Sequence, residues 1–492
     1  MTRDSTTPHA ASLKAENPSQ SDPPMKLQTL FRHPLPLATA FLSILPENLL
    51  AERDPSLSSR WQQVNAHILE TWDESKVTDE TPQMPGSLEL PKPYFSIHPN
   101  RNVLFGWDTF FTNVGLLLVD EFALYAKNAT DNQLAEIEQI GFVPNASEPW
   151  AHNRSQTPFL SMMVRDVYEA GLADKEWLNQ AYTLLRQEYE FWTDTSPDAI
   201  EDHSTPIPGL QRFSHHATEE EQLTFYQQIA GRFHLPLDLP PEEQLAFTGH
   251  WLAEAESGMD FTPRFENRAA HFIAVDLNAN LYRYEKNFAW MCEELSLEGQ
   301  PDWEAKAKNR QNLLTQYCWD EERGLFLDYD FVNHRRSKVA SIATFYPLWT
   351  ELATPEQAGR VVKNLPLFEH AYGLTICEPT EQPLVYQWDH PAGWPPIYFL
   401  VAKGLDQYGY EDDAQRVASK YLDVVTRNYE NPLPTTYTIG ETVSTREPGH
   451  VYEKYDTVKG IIYDAEYPSR PFHGWSYGVF VWCFEYLQQG IK

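Results

Sequence analysis

Lys175-Glu-Trp-Leu-Asn-Gln-Ala-Tyr-Thr-Leu-Leu-Arg-Gln-Glu-Tyr-Glu-Phe-Trp192 decides the fold class. Leu178, Ala181, Tyr182, Leu185, Tyr189 and Trp192 recur at the i, i+3, i+4, i+7 spacing that gathers side chains on one face of an α-helix. Further along, Ala414, Val417, Ala418, Tyr421 and Val425 repeat the pattern behind Glu411-Asp-Asp, and carboxylates at a helix start are favoured by the helix dipole. The same period runs through Phe159–Leu172, Leu277–Leu295, Trp303–Cys318, Ile342–Leu352, Pro396–Tyr408 and Trp475–Leu487. Alternating runs of β-branched residues are scarce. The pattern predicts a mainly helical chain whose helices are joined by alternating short and long loops rich in Pro, Gly and Trp. No internal repeat of the roughly 30–45 residues typical of a solenoid is visible.

Composition narrows the function. The chain has 492 residues, long enough for a sizeable core, and a formal charge of -32. A nucleic-acid partner needs a basic footprint, so that class is excluded, and anionic membrane surfaces are disfavoured. Cys292, Cys318, Cys377 and Cys483 are widely separated and form neither a disulfide framework nor a zinc pattern. His215-His216 suggests a surface loop, and no ligand spacing points to a metal. Residues 1–25 read as a disordered tail without the apolar stretch of a signal peptide. Leu37–Leu50 is broken by Pro46 and too short to span a bilayer. These features predict a soluble, cytoplasmic protein with no cofactor.

Four polar-aromatic clusters interrupt the helical pattern. They are Phe105-Gly-Trp-Asp-Thr109; Gly141-Phe-Val-Pro-Asn145 with Asn153-Arg-Ser-Gln156; Glu254-Ala-Glu-Ser-Gly-Met-Asp-Phe-Thr-Pro-Arg264; and Gln387-Trp-Asp-His-Pro-Ala-Gly-Trp-Pro-Pro396 with Tyr452-Glu-Lys-Tyr-Asp456. Each has an ordinary structural reading. Ser257 or Asp260 would cap a helix beginning after Pro263. Arg154 would sit in an ion pair, the prolines at 391, 395 and 396 would stop one helix and start the next, and Glu453-Lys454 would be an exposed pair. Together, however, they supply tryptophan faces, amide and guanidinium donors, and several carboxylates. Sugars are bound by that mixture, and glycoside hydrolysis adds two carboxyl groups with different tasks. Among 70 acidic residues, chemistry alone does not choose the two.

The motifs resemble those of the trehalases of glycoside hydrolase family 37. Gln387–Pro396 is close to that family's QWDxPxGWxP signature, and Glu256–Arg264 to its ESGWDFSSR segment, with Met259 in place of Trp. Arg154-Ser-Gln156, Val275-Asp-Leu-Asn-Ala279, Trp319-Asp320, Asp328-Tyr-Asp330, Glu453-Lys-Tyr-Asp456, Glu466-Tyr467 and Gly474-Trp475 fall in the family's order, from about residue 90 onward. The resemblance implies an all-α (α/α)6 toroid of the six-hairpin glycosidase type, with long loops forming the active-site mouth and residues 26–492 as a single catalytic domain. It implies an inverting mechanism with Asp260 as general acid and Glu453 as general base. Trp107, Asp108, Asn145, Arg154, Ser155, Gln156, Gly258, Trp388, Asp389 and Glu466 would contact sugar. The implied substrate is a small neutral disaccharide, α,α-trehalose.

Departures from the family pattern bear on specificity. Pro99–Asp108 keeps only the end of the PGGRFxExYxWD signature, Arg101 falls one place from the expected arginine, and the arginine-proline-glutamate segment is not recognisable near Gln211-Arg-Phe213. Met259 marks a further place where a different substrate reading is expected. The alternatives are an α-glycosidase of the family 63 type acting on glucosylglycerate, mannosylglycerate or another small α-glucoside, a phosphorylase on a similar toroid, and a non-catalytic sugar-binding relative. The sequence leaves the oligomeric state open.

Overall fold

In the computed structural model, residues 55–489 are described apart from 79, 100, 382–385, 440, 441 and 466. The expected tail, residues 1–25, lies outside them, as do Leu37–Leu50 and Glu466. Apolar periodicity becomes helix in chain order: α1 (Pro55–Thr71), α2 (Gly106–Leu116), α3 (Ala123–Ile140), α4 (Leu160–Glu169), α5 (Lys175–Thr193), α6 (Glu219–Ile229) and α7 (Pro241–Glu256). The second half gives α8 (Val275–Leu295), α9 (Trp303–Cys318), α10 (Tyr346–Trp349), α11 (Pro355–Lys363), α12 (Pro395–Gln407), α13 (Glu411–Glu430) and α14 (Gly474–Gln489).

α5 shows how the letters become structure. Asp174 caps it by accepting the Trp177 N–H at 2.9 Å, and all six residues of the periodic face are buried. Leu178 and Leu185 have no exposed surface, which stabilises the fold by about 1.5–3 kcal/mol each. The segment expected as one helix over Ile342–Leu352 is instead a 3-10 turn, Ile342–Phe345, running into the single turn of α10. Pro347 lacks an N–H and is tolerated only in a first helical turn, so the α-helix starts beside it.

Six helices form a closed inner ring. α2 packs on α4, α4 on α8, α8 on α10, α10 on α12, α12 on α14, and α14 returns to α2. α1, α3, α5, α9, α11 and α13 alternate with them in sequence, and most pack on the inner members from outside. This is the six-hairpin glycosidase fold that the motifs implied. At the seam two glycines let the helices touch. A Cβ on Gly115 would lie 2.5 Å from the Gly478 carbonyl oxygen, and one on Gly478 would run into that of Phe111. One contiguous apolar core runs from α1 to α14.

α6 and α7 are an insertion between α5 and α8. α6 opens with a capping box in which Thr218 and Glu221 satisfy each other's backbone N–H groups. The pair carries its own apolar cluster of Tyr226, Ile229, Ala230, Trp251, Phe261 and Tyr386. Strands among the described residues are short hairpins in the loops. One three-stranded sheet pairs Ala392–Gly393 with Tyr455–Asp456 and Ile461–Ile462, which joins the two halves of the fourth sequence cluster.

Candidate active site

The stretch Glu254–Arg264 leaves the C-terminal end of α7 and crosses the mouth of the ring. Ser257 is the C-cap of α7, so the expected N-terminal cap role is corrected. Its hydroxyl donates to the Glu254 carbonyl at 2.6 Å and accepts the Met259 N–H at 3.1 Å. Three neighbouring ionisable side chains hold this loop. The Glu254 carboxylate accepts the Thr262 N–H, and Glu256 accepts the N–H groups of Ser155 (3.1 Å) and Ser214 (2.8 Å). Arg264, fully buried, forks onto Asp276 at 2.6 and 3.0 Å and onto Asp328 at 2.7 and 2.8 Å. The Phe261 carbonyl accepts the Trp388 N–H at 2.8 Å and so ties the loop to the tryptophan-rich segment. Asp260, between these anchors, lines a cavity.

That cavity, about 200 Å³, collects all four sequence clusters. Trp107 and Asp108 reach it from the start of α2, Gln156 from just before α4, Trp394 from the N-cap of α12, and Trp475 from the start of α14. Inner-helix N-termini therefore converge on it, and their positive dipole ends face its polar contents. Asn145, Arg154, Gly258, Asp260, Trp388 and Glu453 come from loops. Trp388 stacks on Trp394 with ring centroids 4.0 Å apart, while Trp107 and Trp475 stand 5.5 and 6.2 Å from Trp388. The four rings make a rigid apolar wall suited to one face of a sugar ring. Gly258 has φ +75°, and a Cβ there would fall 2.6 Å from Trp107 Cε2. Only glycine fits this close approach.

Two segments of the second cluster pair through their backbones. The Asn145 N–H donates to the Arg154 carbonyl at 2.9 Å, and the Asn145 carbonyl accepts the Gly106 N–H at 3.1 Å. Gln156 Oε1 accepts the Trp107 N–H at 2.9 Å. Arg154 Nη1 donates to Asn153 Oδ1 at 2.8 Å, and the guanidinium lies over the Trp150 ring. The expected ion pair is absent: among the described residues no carboxylate stands within ion-pair distance of Arg154, and its Nε has no hydrogen-bond partner. Burial lowers its pKa, with Asp260 and Glu256 opposing. An arginine remains charged in that setting, so Arg154 presents a cation in need of an acceptor.

The carboxylates differ in their surroundings. Burial, and then the charges of Glu453 and Asp260, hold Asp108 well above the usual carboxylate range. Burial raises Glu453 too, but Lys454, Tyr467 and Arg470 pull it back. The Tyr467 hydroxyl donates to Glu453 Oε1 at 3.1 Å, and Lys454 Nζ lies 3.8 Å from Oε2. Glu453-Lys454 is thus no surface pair. Lys454 is fully buried, with its ammonium 3.0 Å from the Tyr467 ring centroid and 4.8 Å from that of Trp394.

Two of the described site residues expected from the sequence are not in this wall. Ser155 is buried behind it, with its hydroxyl donated to the Val143 carbonyl at 2.6 Å. Asp389 lies outside the lining and accepts the His390 N–H at 2.7 Å, its carboxyl raised by burial to about 6. Glu466 lies outside the described residues. Met259 is fully buried, its sulfur 3.5 Å from Arg264 Nη1, so it faces the core and not the cavity. Arg101 pairs with Glu148 at 3.1 Å and Gln211 accepts Arg310 Nη1 at 2.5 Å; neither lines the cavity. Phe105, Trp150, Gln387, Trp394, Tyr467 and Trp475 line the cavity without having been expected there, although all except Trp150 belong to the motifs given above.

Glu201, His203 and Glu256 are the described residues grouped closely enough to hold a metal ion. Among themselves they form an ion triad. Burial alone would lower His203, but Glu256 and Glu201 push it up to about 10, which favours its protonated form. His203 Nε2 lies 3.1 Å from Glu201 and 3.2 Å from Glu256. His216, expected in a surface loop, instead closes the group from Nδ1 to Glu201 Oε2 at 2.7 Å. Through Glu256 this triad braces the loop that carries Asp260.

Comparison with known proteins places these features in a family context. The Trehalase family model matches residues 46–488. The probable trehalase of Eremothecium gossypii is 32% identical over 447 residues, covering 81% of this chain and 57% of the relative. The cytosolic neutral trehalase of Kluyveromyces lactis is 31% identical over 436 residues, covering 80% and 55%. The chain therefore spans little more than half the length of these relatives. Among solved structures, the neutral trehalase of Saccharomyces cerevisiae superposes with a TM-score of 0.66 at 28% identity, covering 81% of this chain and 74% of that one. The GH63 mannosylglycerate hydrolase from Thermus thermophilus gives 0.55 at 17% identity, covering 86% and 99%, a likeness of fold alone.

Proposed function

Because the chain belongs to the trehalase family, we propose that it is an inverting glycoside hydrolase that cleaves α,α-trehalose into two glucose molecules. The observation that carries this reading is the meeting of Asp260 and Glu453 in one tryptophan-walled cavity that also holds the unpaired Arg154. Asp260 gives its proton to the bridging oxygen as the glycosidic bond breaks. Glu453 takes a proton from water as that water attacks the anomeric carbon from the other face. Lys454 and Tyr467 suit Glu453 to the base role, because both favour its ionised form against the effect of burial. Trp107, Trp388, Trp394 and Trp475 take the apolar ring face. Arg154, Asn145, Gln156 and Asp108 take the hydroxyls, and burial and neighbouring charge favour the protonated, hydrogen-donating form of Asp108.

A neutral substrate is favoured because Arg154 is the one Arg or Lys among the described lining residues. A glycerate-bearing aglycone would want a further cation. The same scarcity leaves a second reading open to test, hydrolysis of another neutral α-glucoside, since the arginines expected near 101 and 211–213 do not reach the wall. No described helix is long and apolar enough to cross a membrane. The four unpaired cysteines and the cytosolic relatives support a cytoplasmic location. The test is initial-rate hydrolysis of trehalose, kojibiose, nigerose, maltose, glucosylglycerate and mannosylglycerate by the purified chain. Trehalose should give the highest kcat/KM, and a higher value for any other member would overturn the specificity.

A further inference from the structure

The inner helices lead from the first cavity to a second, at the opposite end of the ring. Two of them, α2 and α14, contribute to both, and the segments leading into α4 and α12 line the first while those helices line the second. On α2, Asp108 faces the first cavity, whereas Val114 faces the second; on α14 the corresponding residues are Trp475 and Trp482. On the chain through α12, Trp394 faces the first and Lys403 the second, and on the chain through α4 they are Gln156 and Asp166. At 1.5 Å per helical residue the α2 and α14 pairs are separated by roughly 9–11 Å along the axis. The second cavity measures about 390 Å³, larger than the first.

Its lining does not resemble ordinary core. Trp349, Phe399 and Trp482 form an aromatic wall, with ring centroids 5.8 Å apart for the first two and 4.8 Å for the last two. Facing it are charges of both signs in near balance. Arg165 is committed to Glu169 at 2.8 Å, Arg283 to Glu351 at 2.7 Å, and Asp406 accepts the Tyr486 hydroxyl at 2.8 Å. Asp166 has no hydrogen bond to its carboxylate from any described residue, and Gln407 Oε1 is buried without a partner. Burial pushes the Asp166 carboxyl up to about 7, and Lys403 is drawn down from its usual value by the same cause. Asp166 is nonetheless not sealed in protein: the surface it keeps faces the cavity. Buried polar groups are normally satisfied inside the fold. Here Asp166 and Gln407 Oε1 face a space walled on one side by aromatic rings, the usual composition of a small-molecule site.

We propose that this far cavity is a second binding site for a small, neutral, polyhydroxylated ring. Near-balanced charge gives no net attraction to an ion. The aromatic wall accepts an apolar ring face, while Asp166 and Gln407 supply hydrogen-bonding groups to hydroxyls. The site is independent of whatever reaction the first cavity performs.

Equilibrium dialysis of the full chain against radiolabelled glucose, with myo-inositol as a competitor, tests it. An Arg154→Ala chain, weakened at the first cavity, should still bind glucose at millimolar concentration, and myo-inositol should displace it. Asp166→Asn and Trp482→Phe, each checked by circular dichroism for native helix content, should each weaken this retained binding by about tenfold when added to Arg154→Ala, and made alone should leave trehalose hydrolysis within twofold of the parent. Two variants of different chemistry guard against one that fails to fold. Loss of all glucose binding in Arg154→Ala, or undiminished retained binding in both far-cavity variants, would overturn the proposal.

Discussion

Replacing Gly258 by alanine should damage stability and chemistry together. The new Cβ would lie 2.6, 2.9 and 3.0 Å from Cε2, Cζ2 and Nε1 of Trp107. Carbon atoms pack at about 3.5–4.0 Å, so the ring must retreat by about 1 Å. It has little room, because Phe111 and Phe159 crowd it on one side and Trp388 and Trp475 on another, with ring centroids 5.5 to 6.3 Å away. Overpacking a core of this kind costs about 1–3 kcal/mol. Holding alanine at φ +75° adds about 1 kcal/mol, so the expected loss of stability is about 2–4 kcal/mol. Trp107 and Asp108 start α2 and line the cavity, so the displacement also moves the proposed sugar contacts. A shift of about 1 Å in a positioned group lowers rate on the order of a hundredfold. Urea unfolding and initial rates on trehalose measure both effects. Adding Trp107→Phe should recover part of the stability, since the smaller ring vacates the contested space. A Gly258→Ala chain within 0.5 kcal/mol and twofold in kcat/KM of the parent would refute the packing argument; these thresholds are roughly the scatter of neutral substitutions.

Other consequences can be checked in the same preparations. Glu188 is fully buried and accepts the Tyr284 hydroxyl at 2.8 Å, and burial pushes its carboxyl up to about 8. The folded state therefore holds a proton that the unfolded chain releases above about pH 4.5, and stability falls as pH rises from there to about 8. Glu188→Gln should flatten that fall, recovering on the order of 4 kcal/mol at pH 8 and above and little at pH 4, as read by urea unfolding across pH; an unchanged slope would show that Glu188 is not the proton holder. Removing the Arg264 fork with Arg264→Met leaves Asp276 and Asp328 as buried, uncompensated charges and should cost about 3–5 kcal/mol by urea unfolding; a loss below 1 kcal/mol would contradict this. Tyr467→Phe deletes a hydrogen bond that lowers the Glu453 pKa, so the acid limb of the kcat/KM profile should move to higher pH; a shift to lower pH would contradict the base role.

The letters carried the helices whose cores are periodic. α5 and α9 stand close to where their apolar spacing put them, because a buried helical face must repeat every 3.6 residues. Ring closure is a different matter. It rests on contact between α2 and α14, far apart in sequence, and its local trace is two glycines that look like any others. α6 and α7 were not foreseen, because their faces are shared between solvent and a small satellite cluster, although Thr218–Glu221 carried a legible capping box. At the site, Arg154 and Gln156 alternate with Ser155, and only the pairing of their backbones with Asn145 decides which side chains face the cavity. Lys454 looked solvated because a lysine beside a glutamate usually is. Its burial under Trp394 and Tyr467 depends on residues it meets only in three dimensions. Met259 drew attention as a departure from the motif, yet its side chain is turned into the core.

The most direct test of the central claim is the anomeric form of the glucose released from trehalose, followed by NMR before mutarotation. An attack by water activated at Glu453, with Asp260 protonating the leaving oxygen, inverts the attacked carbon and leaves the other untouched. The account predicts α- and β-glucose appearing in equal amounts from the first spectrum. Release of α-glucose alone would mean retention at the attacked carbon and would contradict the roles proposed for Asp260 and Glu453.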